Sequence, residues 1–177
     1  MTEQIISKRT KGRKFIGYIC GIISSNTAKA AALKRADNPA LEYQSWEILN
    51  HFGIDLTHQQ ERLIFSLIAA ALAKAKIKQD GSLGIGAAIA NCYENKSKSD
   101  QASSKLRRLI GCDSIEELCS VLRPLFQLVS SKTGNTLNYG KLLDELLQFQ
   151  VNPSKVKTDW AQNFYNQKPI EEEENVC

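Results

Sequence analysis

The stretch from Ser99 to Lys132, SDQASSKLRRLIGCDSIEELCSVLRPLFQLVSSK, does most to limit what this chain can fold into. It reads as two helices in succession. Leu106, Leu109 and Ile110 form an i, i+3, i+4 apolar face. Lys105, Arg107 and Arg108 cannot all join that face and so stay in water. Gly111 and Cys112 end the first helix. Ser114, with Glu117 three residues on, has the pattern of a capping box for the second. Leu118, Val121, Leu122, Leu125 and Val129 then point inward, and Glu116, Ser120, Arg123 and Gln127 make the outer row. Pro124 lies inside this helix, where it removes a hydrogen bond to the Ser120 carbonyl and predicts a kink. A helical hairpin that is apolar inside and carries Lys105, Arg107, Arg108 and Arg123 outside is a candidate surface for a polyanion.

The rest of the chain repeats the same grammar. Phe15, Ile16, Ile19, Ile22 and Ile23 mark an amphipathic first helix. The basic run Lys8–Lys14 before them also has the look of a secretory leader, but the glycines, Tyr18 and the free cysteines favour the helix. Thr27 to Ala36 is built from strong helix formers. Asn38-Pro39 has the N-cap and N1 pattern, and the segment after it carries Leu41, Trp46, Ile48 and Leu49. Thr57, with Gln60, is expected to cap a long helix whose stripe, Leu63, Ile64, Leu67, Ile68, Ala71 and Leu72, is wide enough for a central position. Asn138 and Asn152-Pro153 open two more helices, the last ending in Trp160, Phe164 and Tyr165. No run alternates with period two. These patterns predict an all-α fold of two small helical bundles packed together, residues 1–95 and 96–177, with polar Asn95–Asp100 as the linker.

Charge is uneven. Residues 1–35 hold eight Lys/Arg and one acid, 36–73 one Arg and five acids, 74–141 eleven Lys/Arg and six acids, and 142–177 three Lys and seven acids. Basic zones of this kind attract phosphates or acidic lipids. The five cysteines form no CxxC pair, which points to a reducing cytoplasm without disulfides. His51 and His58 have no paired cysteines at zinc-ligand spacing, and His58-Gln59-Gln60-Glu61 is not HExxH, so neither a metal nor a cofactor is expected. Both histidines read as surface or capping residues, and Trp46 and Trp160 as core. The glycine-rich stretch Asp80-Gly81-Ser82-Leu83-Gly84-Ile85-Gly86 matches no phosphate-cradle spacing and reads as a turn whose small residues allow close packing. No stretch reaches the length of a membrane span.

The order FIGYICGII, AALKRADNPA, HQQERLIFSLIAAALA, SLGIGAAIA, KLRRLIGCDSIEELCSVLRPLFQLVSSKTGNTLNYGKLLDELLQF and VKTDWAQNFY resembles the CasB family, the small subunit of the type I-E Cascade, a CRISPR RNA-guided surveillance complex. The resemblance runs from about Phe15 to Tyr165. It implies an all-helical, non-enzymatic protein with two helical bundles, present as two copies beside the other Cascade subunits and the guide RNA. It also implies that basic surfaces hold the target DNA and the displaced single strand of the R-loop in antiviral defence. Lys34 and Arg35 fall on the family's paired basic positions, and Arg107, Arg108 and Arg123 on its basic hairpin. Helical geometry adds Lys29, Lys105 and Lys132. The basic leader and the Glu171–Glu174 tail depart from the family pattern. A stand-alone helical DNA- or RNA-binding protein and a helical scaffold without nucleic acid are the alternatives. No helix carries the base-reading residues that the first of these would need.

Overall fold

The structure, a computed structural model, describes the backbone of residues 2–167 and the side chains of residues 11–167. The Glu171–Glu174 tail and the side chains of Lys8 and Arg9 lie outside the described residues. Among the described residues there are nine α-helices: α1 (Thr2–Ser25), α2 (Thr27–Leu33), α3 (Trp46–Phe52), α4 (Gln59–Lys74), α5 (Ile85–Asn91), α6 (Asp100–Ile110), α7 (Ile115–Thr133), α8 (Tyr139–Phe149) and α9 (Pro153–Tyr165). Two short 3-10 segments, Glu42–Ser45 and Lys96–Lys98, lie between helices. The only β feature described is one parallel bridge, Leu83 to Leu137.

The core is organised by α4, in which every residue from Ile64 to Ala73 is buried. The wide apolar stripe and the alanines explain this: small side chains let helices approach on several sides at once. α1, α2, α7 and α8 all pack on it. Phe15 of α1 meets Phe52 and Phe65 edge-on, with ring centroids 5.0 and 4.8 Å apart. Phe15, Ile16 and Ile19 are buried, as the amphipathic reading of the first helix expects. The largest contacts join α1 to α8 and α5 to α9. Residues from both sides of position 95 therefore share one buried cluster. None of the described helices is long and apolar enough to cross a membrane.

The helix ends are held by the side chains that the chain places there. Ser114 Oγ accepts the Glu117 N–H at 3.2 Å as the N-cap of α7, and Glu117 Oε2 accepts at 2.8 Å from the N–H of Asp113, the residue before the cap, rather than from Ser114 as a capping box would have it. Asn138 and Asn152 cap α8 and α9 through the N–H groups of Lys141 and Lys155. Two boundaries differ from the local patterns. His58, not Thr57, caps α4, its Nδ1 accepting the Glu61 N–H at 3.2 Å. Thr57 is instead drawn into a turn in which Asp55 accepts both its N–H and its hydroxyl. Asn38-Pro39 opens no α-helix: the Asn38 side chain accepts the Ala40 N–H at 3.0 Å, and the chain reaches α3 through a turn and a 3-10 segment. A short polar side chain bonding two residues on stabilises a turn as readily as a helix start. Trp46 also departs from the core reading. It remains 37% exposed, with the Arg62 guanidinium 5.8 Å above its ring. Trp160 is buried, and its indole N–H donates to Glu145 at 2.7 Å.

The glycine-rich stretch is a structural clasp. Gly81, Ser82 and Leu83 donate backbone hydrogen bonds to Leu137 and Thr136, and Asn138 donates back to Leu83. A Cβ on Gly81 would stand 2.3 Å from the Thr136 carbonyl, and one on Gly86 would stand 2.2 Å from the Trp160 carbonyl oxygen. Only glycine permits these approaches.

Candidate nucleic-acid interface

The positively charged part of the hairpin is α6, which packs against α5, α7 and α9. Leu106 and Leu109 bury α6 against the core, while Lys105, Arg107 and Arg108 stay exposed. Lys105 and Arg108, one helical turn apart, flank the same groove. Tyr93 and the apolar surface of α7 line it with them, and its volume is about 190 Å³. Arg107 projects from a different side of α6, since neighbouring helical residues diverge by about 100°. Lys132 is exposed in the last turn of α7, one turn beyond Leu128 of the groove wall. None of these four cations forms an ion pair with a described carboxylate.

The second group of cations lies on α2 and just beyond it. Lys34 is the C-cap of that helix and is exposed. Arg35 is exposed and donates to Gln44 Oε1 at 3.0 Å. Lys29 reaches Glu47 only at 4.0 Å, across an exposed and therefore weak pair.

Arg123 departs from the outer-row reading. It is half-buried, pairs with Asp37 at 3.6 Å and donates to the Asp37 backbone carbonyl at 3.2 Å. Asp37 also receives Lys74 at 2.7 Å. One carboxylate against two cations leaves this junction of α7, α4 and the turn after α2 with a surplus positive charge. Arg123 nevertheless serves the packing of that turn. The burial that encloses this junction lifts the Cys119 thiol to about 11, Arg123 opposing the shift. Cys20, Cys92, Cys112 and Cys119 are all buried and free.

One feature was not legible as a site feature in the sequence. Tyr93 follows α5 and enters the groove with Lys105 and Arg108; its only local signal is an aromatic ring shortly before a lysine-rich linker. Lys76 and Lys78 line an open cleft of about 450 Å³ with Gln79, Asp80 and Asn135. Among the described residues, no group of three or more His, Cys, Asp or Glu side chains is arranged to hold a metal ion.

Fold and surface together define a small all-helical protein that presents cations in grooves between helices. The family model described as CRISPR-associated protein Cse2 matches residues 29–165. The chain belongs to this family, which is the CasB family of the sequence resemblance. Solved structures agree in fold. A Cse2-family CRISPR-associated protein from Thermus thermophilus superposes with a TM-score of 0.74 at 20% identity, over 88% of this chain and 98% of that one. CasB from M. ruber does so with 0.69 at 21% identity, over 88% and 92%. A chain of a CRISPR RNA-guided surveillance complex gives 0.66 at 16% identity, over 89% and 92%. No curated protein sequence matches.

Proposed function

We propose that this chain is the non-catalytic small subunit of a CRISPR RNA-guided surveillance complex. In this role it binds nucleic acid without reading sequence, and stabilises the target DNA and the displaced strand of the R-loop. The observation that carries the reading is the set of exposed cations Lys105, Arg107, Arg108 and Lys132, free of described carboxylate partners, in a chain of the Cse2 family. A displaced strand is costly to hold open because re-annealing competes with it. Cations along a helical ridge bind its phosphates, release counterions and lower the free energy of the open form. Lys29, Lys34, Arg35 and the partly neutralised Arg123 extend the positive surface. The partners in this reading are the other Cascade subunits, the guide RNA and a second copy of the chain.

The test is the Lys105→Ala, Arg107→Ala, Arg108→Ala triple variant. None of the three belongs to the buried face of α6, so the far-ultraviolet circular dichroism spectrum should be retained. Affinity for single-stranded DNA should fall for every sequence alike. The dependence of log K on log salt should become shallower by about two units, at roughly 0.7 per single-strand phosphate contact. Unchanged affinity and slope would remove this ridge from the interface and favour the scaffold reading.

A further inference from the structure

The groove between α6 and α7 has a composition that phosphate binding alone does not require. It is lined by the cations Lys105 and Arg108, the Tyr93 ring and the apolar side chains of Val121, Pro124, Leu125 and Leu128. Tyr93 itself is half-buried. A groove built only for phosphates would be polar throughout. An aromatic ring and aliphatic side chains lining one groove beside two cations are instead the surroundings that a flat apolar ring with an anionic attachment would fill. At about 190 Å³ the space has room for one planar ring system. It is too narrow for a peptide helix, whose diameter alone is about 10–12 Å.

We propose that this groove docks a single unstacked base of a single strand, the base lying against the Tyr93 ring and its flanking phosphates on Lys105 and Arg108. The proposal rests on the nucleic-acid reading above and adds to it a base-dependent contact. The contact takes any base, because every base has a π-face and stacking is tolerant of sequence, while Lys105 and Arg108 are committed to the flanking phosphates. Bases stacked inside a duplex cannot enter, so the site favours single strands over duplex at equal phosphate count. Lys105 and Arg108 stand one helical turn apart on the same side of α6, and so can hold the backbone on either side of the docked base.

Binding of the full chain is measured with an oligothymidylate and with an abasic strand of equal length. The abasic strand is expected to bind about tenfold more weakly at the same salt slope, the range that base stacking on one aromatic side chain supplies. Tyr93→Leu should bring the oligothymidylate down to the abasic level without changing the slope, while Tyr93→Phe behaves as wild type. Lys105→Ala with Arg108→Ala should lower the slope by about 1.4 units for both strands. Photo-crosslinking of a 4-thiothymidine strand to the Tyr93 peptide needs no variant and should succeed. Equal affinity of wild type for the two strands overturns the base site. If the double cation variant still weakens binding, the proposed function stands without it; if neither variant has an effect, both fail. Tyr93-dependent displacement of the strand by an oligoglutamate peptide would reassign the groove to an acidic peptide and overturn the proposal as well.

Discussion

Asp80→Ala tests the clasp that joins the α4–α5 connection to the start of α8. The Asp80 carboxylate accepts the N–H groups of Tyr139 at 2.7 Å, Gly140 at 3.0 Å and Gly81 at 3.0 Å. Tyr139 and Gly140 are the first two residues of α8, whose N–H groups have no acceptor inside the helix. Asn138 takes care of Lys141 only. Asp80 therefore acts as a second, charged cap delivered from 59 positions away in the chain. Losing a side-chain cap costs about 0.5–2 kcal/mol. Removing a negative charge from a helix N-terminus costs about 0.3–1 kcal/mol more. Two donors instead of one put the total at roughly 2–4 kcal/mol. At about 2–4 °C per kcal/mol for a chain of this size, the melting temperature should fall by roughly 4–16 °C. Asn138→Ala, which removes a single cap bond, should cost about 1 kcal/mol. Guanidinium denaturation followed by circular dichroism gives both values, with Asp80→Asn expected between them because it keeps an acceptor and loses the charge. A loss below about 0.5 kcal/mol for Asp80→Ala, or a larger loss for Asn138→Ala, would refute the idea that the distant carboxylate caps α8.

Leu122, fully buried on α7, should cost about 2–5 kcal/mol when changed to Ala, and a much smaller loss in chemical denaturation would contradict its core position. Gly86→Ala drives a methyl group into the backbone of α9, so the overpacking cost should lie at the upper end of about 1–3 kcal/mol; a stabilised variant in a thermal melt would show that α5 and α9 can separate freely. Burial raises the Glu145 carboxyl above its ordinary value of 4.5, against the opposing hydrogen bond from Trp160 and the charge of Lys141. A raised carboxyl contributes stability that is complete below the unfolded value and is lost as pH rises through the folded one. Glu145→Gln keeps an acceptor for the indole N–H, so it should flatten the decline in melting temperature that wild type shows as pH climbs from 4.5; an identical decline in the variant would assign that slope to another group. Because α1 packs on α8 and α5 on α9, the two proposed bundles, 1–95 and 96–177, are expected to unfold in one calorimetric transition, and two resolved transitions would contradict this coupling.

Features governed by neighbours a few residues apart were legible in the chain alone. The i, i+3, i+4 stripes placed the helices and their buried faces from Phe15 to Phe164. Ser114, Asn138 and Asn152 marked helix starts, because a capping side chain bonds an N–H two or three residues on. The exposed faces of Lys105, Arg107 and Arg108 followed from the same periodicity, and the order of these segments was enough to point to the family. What depended on distant partners was not legible. A stripe says that a helix face is buried but not against what, so the pairing of α1 with α8 and of α5 with α9 emerges only in three dimensions. Arg123 sits on the outer row of its own helix, yet Asp37, 86 positions away, claims it. Trp46 has core chemistry and core spacing, but the turn before it leaves the ring under Arg62 at the surface. Asp80 is a turn residue locally and the cap of α8 globally. Tyr93, Lys105 and Arg108 line one groove only because α5, α6 and α7 pack against one another. In each case the deciding energy is a contact between elements, and such contacts leave no period in the sequence that encodes them.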